Sequence, residues 1–264
     1  ATLPFDSQPG ERWVYGYNTD VLGNVIERIT GQTLATVIDE RIARPLKMVD
    51  TAFYLPAGKE SRLATVYAAG DDGTITRAED GHPAQRLLAH SGQGAYVRGP
   101  RPACSGGAGL LSTADDYARF MQMMLNGGVY DDVRIFSDST VSLFTRRTAG
   151  TRALGWDTAE GQGGSGEYLT SAAYGHTGYT GTSIWIDPDR QMFVVLLTNR
   201  VHAARARRPS KVIADVRADL SDAAALSVDT DRAQHVVQQS AGLADKGLTL
   251  DVFVLARGLA DDQP

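Results

Sequence analysis

Apolar residues recur at Val21, Leu22, Val25, Ile26 and Ile29, the spacing of one face of a helix. Asn18 or Thr19 stands where an N-cap is needed, and Gly31 where a helix closes. A second helical pattern, about Thr33–Arg44, turns Leu34, Val37, Ile38 and Ile42 inward until Pro45 stops it. Between residues 50 and 105 the pattern loosens. Thr51–Leu55 is a candidate short strand, and Ala64–Ala69 and Thr74–Arg77 flank Gly70-Asp71-Asp72-Gly73, a hairpin signature. Residues 80–105 are rich in loop formers. From Ser112 or Thr113, with Asp115 and Asp116 in the first turn, a helix carries Tyr117, Phe120, Met121, Met124 and Leu125. It ends at Asn126-Gly127-Gly128, and methionines at that spacing belong to a core rather than to a cofactor contact. A further short helix is expected at Ser139–Arg147, and Trp156 opens a strand.

The stretch Tyr174–Asn199 organises the chain. Thr182–Ile186 is β-branched and aromatic, and Met192–Thr198 is the most apolar run. Asp187-Pro188-Asp189-Arg190 between them is turn chemistry, because Pro188 fixes φ and Asp187 can bond the following backbone. The pattern predicts a β-hairpin. Ahead of it, His176-Thr177-Gly178-Tyr179-Thr180-Gly181 sets a titratable ring and two glycines at a strand mouth. That run reads either as a glycine-relieved strand entrance or as a close approach to a ligand, and residue types alone favour the first. Residues 210–242 carry alanine-rich helical patterns, and Leu248–Leu255 suits strand or helix.

A length of 264 residues suffices for a sizeable core, and 42% apolar with 22% charged residues is ordinary for a globular chain. A net charge of −5 gives no electrostatic case for nucleic acid, and the basic run Arg205–Lys211 reads as a surface patch. No apolar run reaches the ~20 residues of a membrane helix, and the first residues lack the pattern of a signal peptide. One cysteine, Cys104, forms no internal disulfide and makes a thiolate metal site improbable. The five histidines form no H-x-x-x-H pair, and there is no phosphate loop, G-x-S-x-G elbow or Ser-x-x-Lys. No cofactor or metal is expected, and the compartment stays undecided. Tyr15 and Tyr17, just before a helix N-terminus, read as core phenols or as a general base beside cations. The residues alone favour core for at least one.

Five segments then occur in a telling order: PGERWVYGYNTDVLGNVIERITG, ARPLKM, SGGAGLLSTADDYARFMQMMLNGG, YGHTGYTGTSIWIDP and FVVLLTNRVH. Together, over roughly residues 9–203, they resemble the penicillin-recognising serine hydrolases, above all the class C β-lactamase-like esterases and D-aminopeptidase-type proteins. The resemblance implies three motifs. A Ser-x-x-Lys would supply a nucleophile and its activating lysine, a tyrosine motif would pass protons, and Lys-Thr-Gly on an edge strand would bind substrate. Tyr15-Gly16-Tyr17 matches the second, with Tyr15 as base and Tyr17 where lactamases have asparagine. His176-Thr177-Gly178 matches the third, with histidine for lysine. The resemblance counts His176 with Tyr15 as catalytic, has His176 and Thr177 orient the substrate, adds Tyr17, Gly178 and Tyr179 to the substrate contacts, and makes the Tyr179 amide an oxyanion donor. Both departures resemble the esterase branch.

The resemblance implies an α+β fold in which an antiparallel sheet packs against helices, with a helical subdomain from about 19–48 and 113–147. Residues 1–205 would form the hydrolase domain and 206–264 a helical extension. Tyr15 and His176 would converge between sheet and helices. The expected substrate is a small ester, amide or peptide, with the nucleophile in a missing N-terminal segment or a second chain. Rival readings are an inactive homologue that binds acyl or peptidoglycan-like ligands, and an interaction domain.

Overall fold

The computed structural model describes residues 4–65, 67–69, 75–77, 104–159, 163–178, 180–198, 210–229, 237–243 and 248–256. The loop-rich 80–103 segment and Tyr179 lie outside them. Helix α1 spans Asn18–Thr30 and closes on Gly31, whose left-handed φ of 67° lets its N–H reach the Glu27 carbonyl. The residue ahead of α1 is Tyr17, which makes no side-chain cap, so the cap expected of Asn18 or Thr19 is not made. The second helical run has the extent that the pattern predicts, but in two parts. Thr33 caps α2, Leu34–Ile38, which then widens into a π turn over Asp39–Ala43.

Strands β1 (Tyr67–Ala69) and β2 (Ile75–Arg77) pair antiparallel, as the Gly-Asp-Asp-Gly signal predicts. Residues 51–55 form only a single bridge, Ala52 to Leu111. Thr113 caps α3 (Ala114–Leu125), its hydroxyl accepting from the Asp116 N–H at 3.2 Å. Met121, Met123 and Met124 of α3 are buried. A small hairpin of β3 (Val129–Tyr130) and β4 (Val133–Arg134) follows, turned by Asp131 and Asp132 at positive φ. Aspartate tolerates that conformation better than most residues. Ser137 caps α4, Asp138–Thr145.

The main sheet holds β5 (Asp157–Thr158), β6 (Tyr174–Thr177), β7 (Ser183–Asp187), β8 (Met192–Leu197), β10 (Leu248–Ala256) and β9 (Val237–Leu243), in that order and antiparallel throughout. The β7–β8 hairpin is the predicted one, and the Asp187 carboxylate accepts from the Arg190 N–H at 3.3 Å. Side chains alternate across a strand, so β8 feeds two cores. Phe193 and Val195 pack with the α3 methionines, Leu46 and Met48 on one face. Met192 and Val194 join Trp185, Ala224 and Ala225 on the other. The last two belong to α5, Ser210–Asp229. A strand covered on both faces needs no polar positions, which explains the unbroken apolar run.

The chain's end departs from its expected helical character. Helix is present over Ser210–Asp229, but Val237–Leu243 is strand and β10 pairs directly with β8. The apolar face of α1 departs too. Val21, Leu22, Val25 and Ile29 are exposed, Ile29 to 79%. Among the described residues, no helix is long and apolar enough to cross a membrane.

Candidate active site

Tyr15 and Tyr17 sit on the irregular lead-in to α1. Asn18 steadies it, donating from Nδ2 to the Val14 carbonyl at 3.1 Å. The glycine run after Cys104 lies against the first turn of α1. Ser105 Oγ donates to the Asp20 carboxylate and accepts from the Gly107 and Ala108 N–H groups at 3.0 and 3.1 Å. A Cβ on Gly106 would overlap the Thr19 carbonyl, so this close approach requires glycine. Ser112 Oγ is hydrogen-bonded to Thr51 Oγ1 at 2.8 Å. Neither serine shares a hydrogen bond with a histidine among the described residues.

His176 and Thr177 lie at the end of β6. Of β6, strand β5 pairs with Tyr174 and Gly175, so β6 runs past this neighbour at His176. The His176 ring lies 6.4 Å from the Tyr15 ring, centroid to centroid, at an interplanar angle of 29°. The structure therefore brings Tyr15 and His176 together. Both tyrosines are surface residues, Tyr15 at 69% and Tyr17 at 85% exposure, which overturns the expectation that one is core. Tyr17 makes no ring contact with His176.

Arg152 completes the group. Its Nη1 lies 3.1 Å from His176 Nε2 and its Nε 2.6 Å from Asp157 Oδ1. The guanidinium carbon stands 4.3 Å from the Trp13 ring centre and 5.7 Å from that of Tyr15. Trp13 and Tyr15 are themselves 5.7 Å apart. Sequence reasoning missed Arg152 and Trp13. Arg152 sits in a loop without periodicity, and nothing in its spacing ties it to His176.

The turn after His176 is fixed from below. Gly178 N–H donates to the Thr182 carbonyl at 2.7 Å, and Arg217 Nη2 donates to the Gly178 and Thr182 carbonyls at 2.7 and 2.9 Å. Helix α5 thus holds the turn that carries the Thr-Gly pair. Among neighbouring groups, burial raises the Tyr174 pKa above its ordinary value, which keeps that phenol protonated. Burial also raises the pKa of the Cys104 thiol and so disfavours the reactive thiolate. Among the described residues no cluster of three or more histidine, cysteine or acidic side chains could hold a metal.

A family model described as beta-lactamase matches residues 1–218. The chain therefore belongs to the beta-lactamase family, within the penicillin-recognising serine hydrolases, and has their α+β fold. A relative from Escherichia coli O157:H7, named as a candidate D-alanyl-D-alanine carboxypeptidase, is 37% identical over 215 residues. That match covers 76% of this chain and 48% of the relative, so the chain spans about half the relative's length. Among solved structures, a mutant of simvastatin synthase (LovD) from Aspergillus terreus aligns with a TM-score of 0.66 at 19% identity. It covers 86% of this chain and 58% of the synthase. EstCE1, a hydrolase with promiscuous acyltransferase activity, aligns with a TM-score of 0.59 at 24% identity over 80% of this chain and 56% of its own.

Proposed function

We propose that this chain carries the proton-transfer and substrate-orienting half of a site that hydrolyses esters, amides or D-amino-acid peptides through a serine acyl-enzyme. The observation that carries the reading is the stacking of Tyr15 on His176 at the open end of β6. Tyr15 is the general base: its exposed ring leaves the hydroxyl open to an incoming nucleophile. His176, Thr177, Gly178 and Tyr17 orient the substrate, and the Tyr179 amide serves the oxyanion. The D-alanyl-D-alanine carboxypeptidase name of the Escherichia coli relative favours a peptide substrate.

The nucleophile comes from polypeptide outside these 264 residues, upstream or on a second chain. Two observations support this. The chain has no Ser-x-x-Lys. The apolar face of α1 is exposed, as are Trp13 and Tyr15 ahead of it in the chain, as a surface awaiting a further layer would be. The lack of that motif equally favours a second reading, a homologue that binds acyl or peptidoglycan-like ligands without turnover.

The test is Tyr15→Phe in a longer protein that includes an upstream Ser-x-x-Lys segment. The expected result is a loss of ester hydrolysis of about 10²-fold or more, the usual scale for a general base. Unchanged hydrolysis would remove Tyr15 from the mechanism. Ligand binding without any covalent adduct in that longer protein would favour the non-turnover reading.

A further inference from the structure

We propose that Arg152 is a positioning residue that fixes the tautomer of His176, holding the neutral ring with its proton on Nδ1 and Nε2 as acceptor. The argument follows from what each partner can do. A guanidinium only donates, so the ring nitrogen 3.1 Å from Arg152 Nη1 must accept. A carbonyl oxygen only accepts, so Nδ1, 2.7 Å from the Thr177 carbonyl, must donate. The opposite tautomer would set donor against donor at Nε2 and lone pair against lone pair at Nδ1.

Arg152 is built to impose this. Its backbone is pinned in a tight turn, where its N–H donates to Ala149 O at 2.9 Å and its carbonyl accepts from Thr148 N–H at 2.8 Å. Its Nε is held by Asp157, and Asp157 pairs with Gly175, the residue before His176. One flank of the guanidinium lies against Trp13. The two partners are thus referenced to the same pair of strands, and the Arg152 side chain is only 20% exposed. In consequence, the paired charges of this group sit on Arg152 and Asp157, while His176 contributes an oriented ring. With both nitrogens engaged, the ring offers no free N–H to a substrate. Its part in orienting a substrate is then to hold the Thr177 carbonyl through Nδ1 and to present its flat face beside Tyr15.

The inference rests on these hydrogen bonds and not on acyl transfer, so its failure and a failure of the proposed function are separately visible. The test is nitrogen-15 NMR of the histidine rings in this chain at about pH 8, above the ordinary imidazole pKa of about 6.5. His176→Gln identifies the His176 signals by their loss. The expected spectrum shows a protonated Nδ1 and an unprotonated Nε2. Arg152→Met keeps an apolar stem against Trp13 and removes the donor, and should shift the ring toward the Nε2–H form. Wild-type protein with Nε2–H dominant overturns the proposal, as does Arg152→Met with the tautomer unchanged. If Arg152→Met does not fold, Asp157→Ala replaces it. That variant removes the acceptor that holds Nε and should weaken the Nδ1–H preference, and an unchanged preference there also overturns the proposal.

Discussion

The Tyr15 phenol lies over the His176 imidazole, 6.4 Å away and inclined by 29°, although 161 positions (176 − 15) separate the two in sequence. Because Tyr15 is exposed, its hydroxyl should matter to chemistry and not to folding. Tyr15→Phe is expected to change unfolding free energy by less than about 0.5 kcal/mol, the range of ordinary surface substitutions. Chemical denaturation measures it. A larger loss would mean that the phenol is a structural group.

Gly175 allows His176 to sit where it does. A Cβ there would fall 2.6 Å from the Trp185 indole and overlap the Ile184 carbonyl of the paired strand. Trp185 is buried in the α5-side core and cannot swing clear. Gly175→Ala is expected to destabilise by about 1–3 kcal/mol through overpacking. At about 2–4 °C per kcal/mol, the fall in melting temperature is easily read.

Arg217 joins α5 to the turn after His176 through two carbonyls. Arg217→Met leaves both carbonyls without this charged donor, a loss of about 2–3 kcal/mol. Hydrogen exchange should show it locally, with faster exchange at the Gly178 and Gly181 amides, which bond within that turn. Uniform acceleration across the sheet would instead mark a global effect.

Asp50 supplies a pH dependence. Arg62 grips both of its oxygens, at 2.8 and 2.7 Å, and Lys59 approaches at 2.6 Å. The hydrogen bond from Arg62, followed by that from Lys59, holds the Asp50 pKa below the usual carboxylate value. A depressed folded pKa stabilises the fold above the unfolded value of about 3.9, and that stabilisation is lost as pH falls through the folded value. Asp50→Asn should therefore cost about 1–2 kcal/mol at neutral pH, discounted for exposed partners. The gap from wild type should close on acidification below about pH 4. A gap independent of pH would contradict the assignment.

Local patterns in the sequence announced many of the elements. The β7–β8 hairpin, α1 with its Gly31 stop, the Thr113 cap and the methionine core all follow from periodicity and turn chemistry. What stayed hidden depends on distant partners. The exposed face of α1 has the same periodicity as a buried one, since spacing says which residues share a face and not what covers it. Val237–Leu243 reads as helix in isolation and is strand beside β10. At the site, the motifs pointed to Tyr15 and His176. Arg152 and Arg217 come from segments whose relation to His176 exists only in three dimensions.

The most direct test of the central proposal is the intact mass of this folded chain after incubation with a serine-reactive fluorophosphonate, with circular dichroism confirming the fold. The expected result is no adduct, because the proposal takes the nucleophile from outside these residues. An adduct of one probe mass would contradict this, and mapping it to Ser105, Ser112 or another serine would place the nucleophile within the chain.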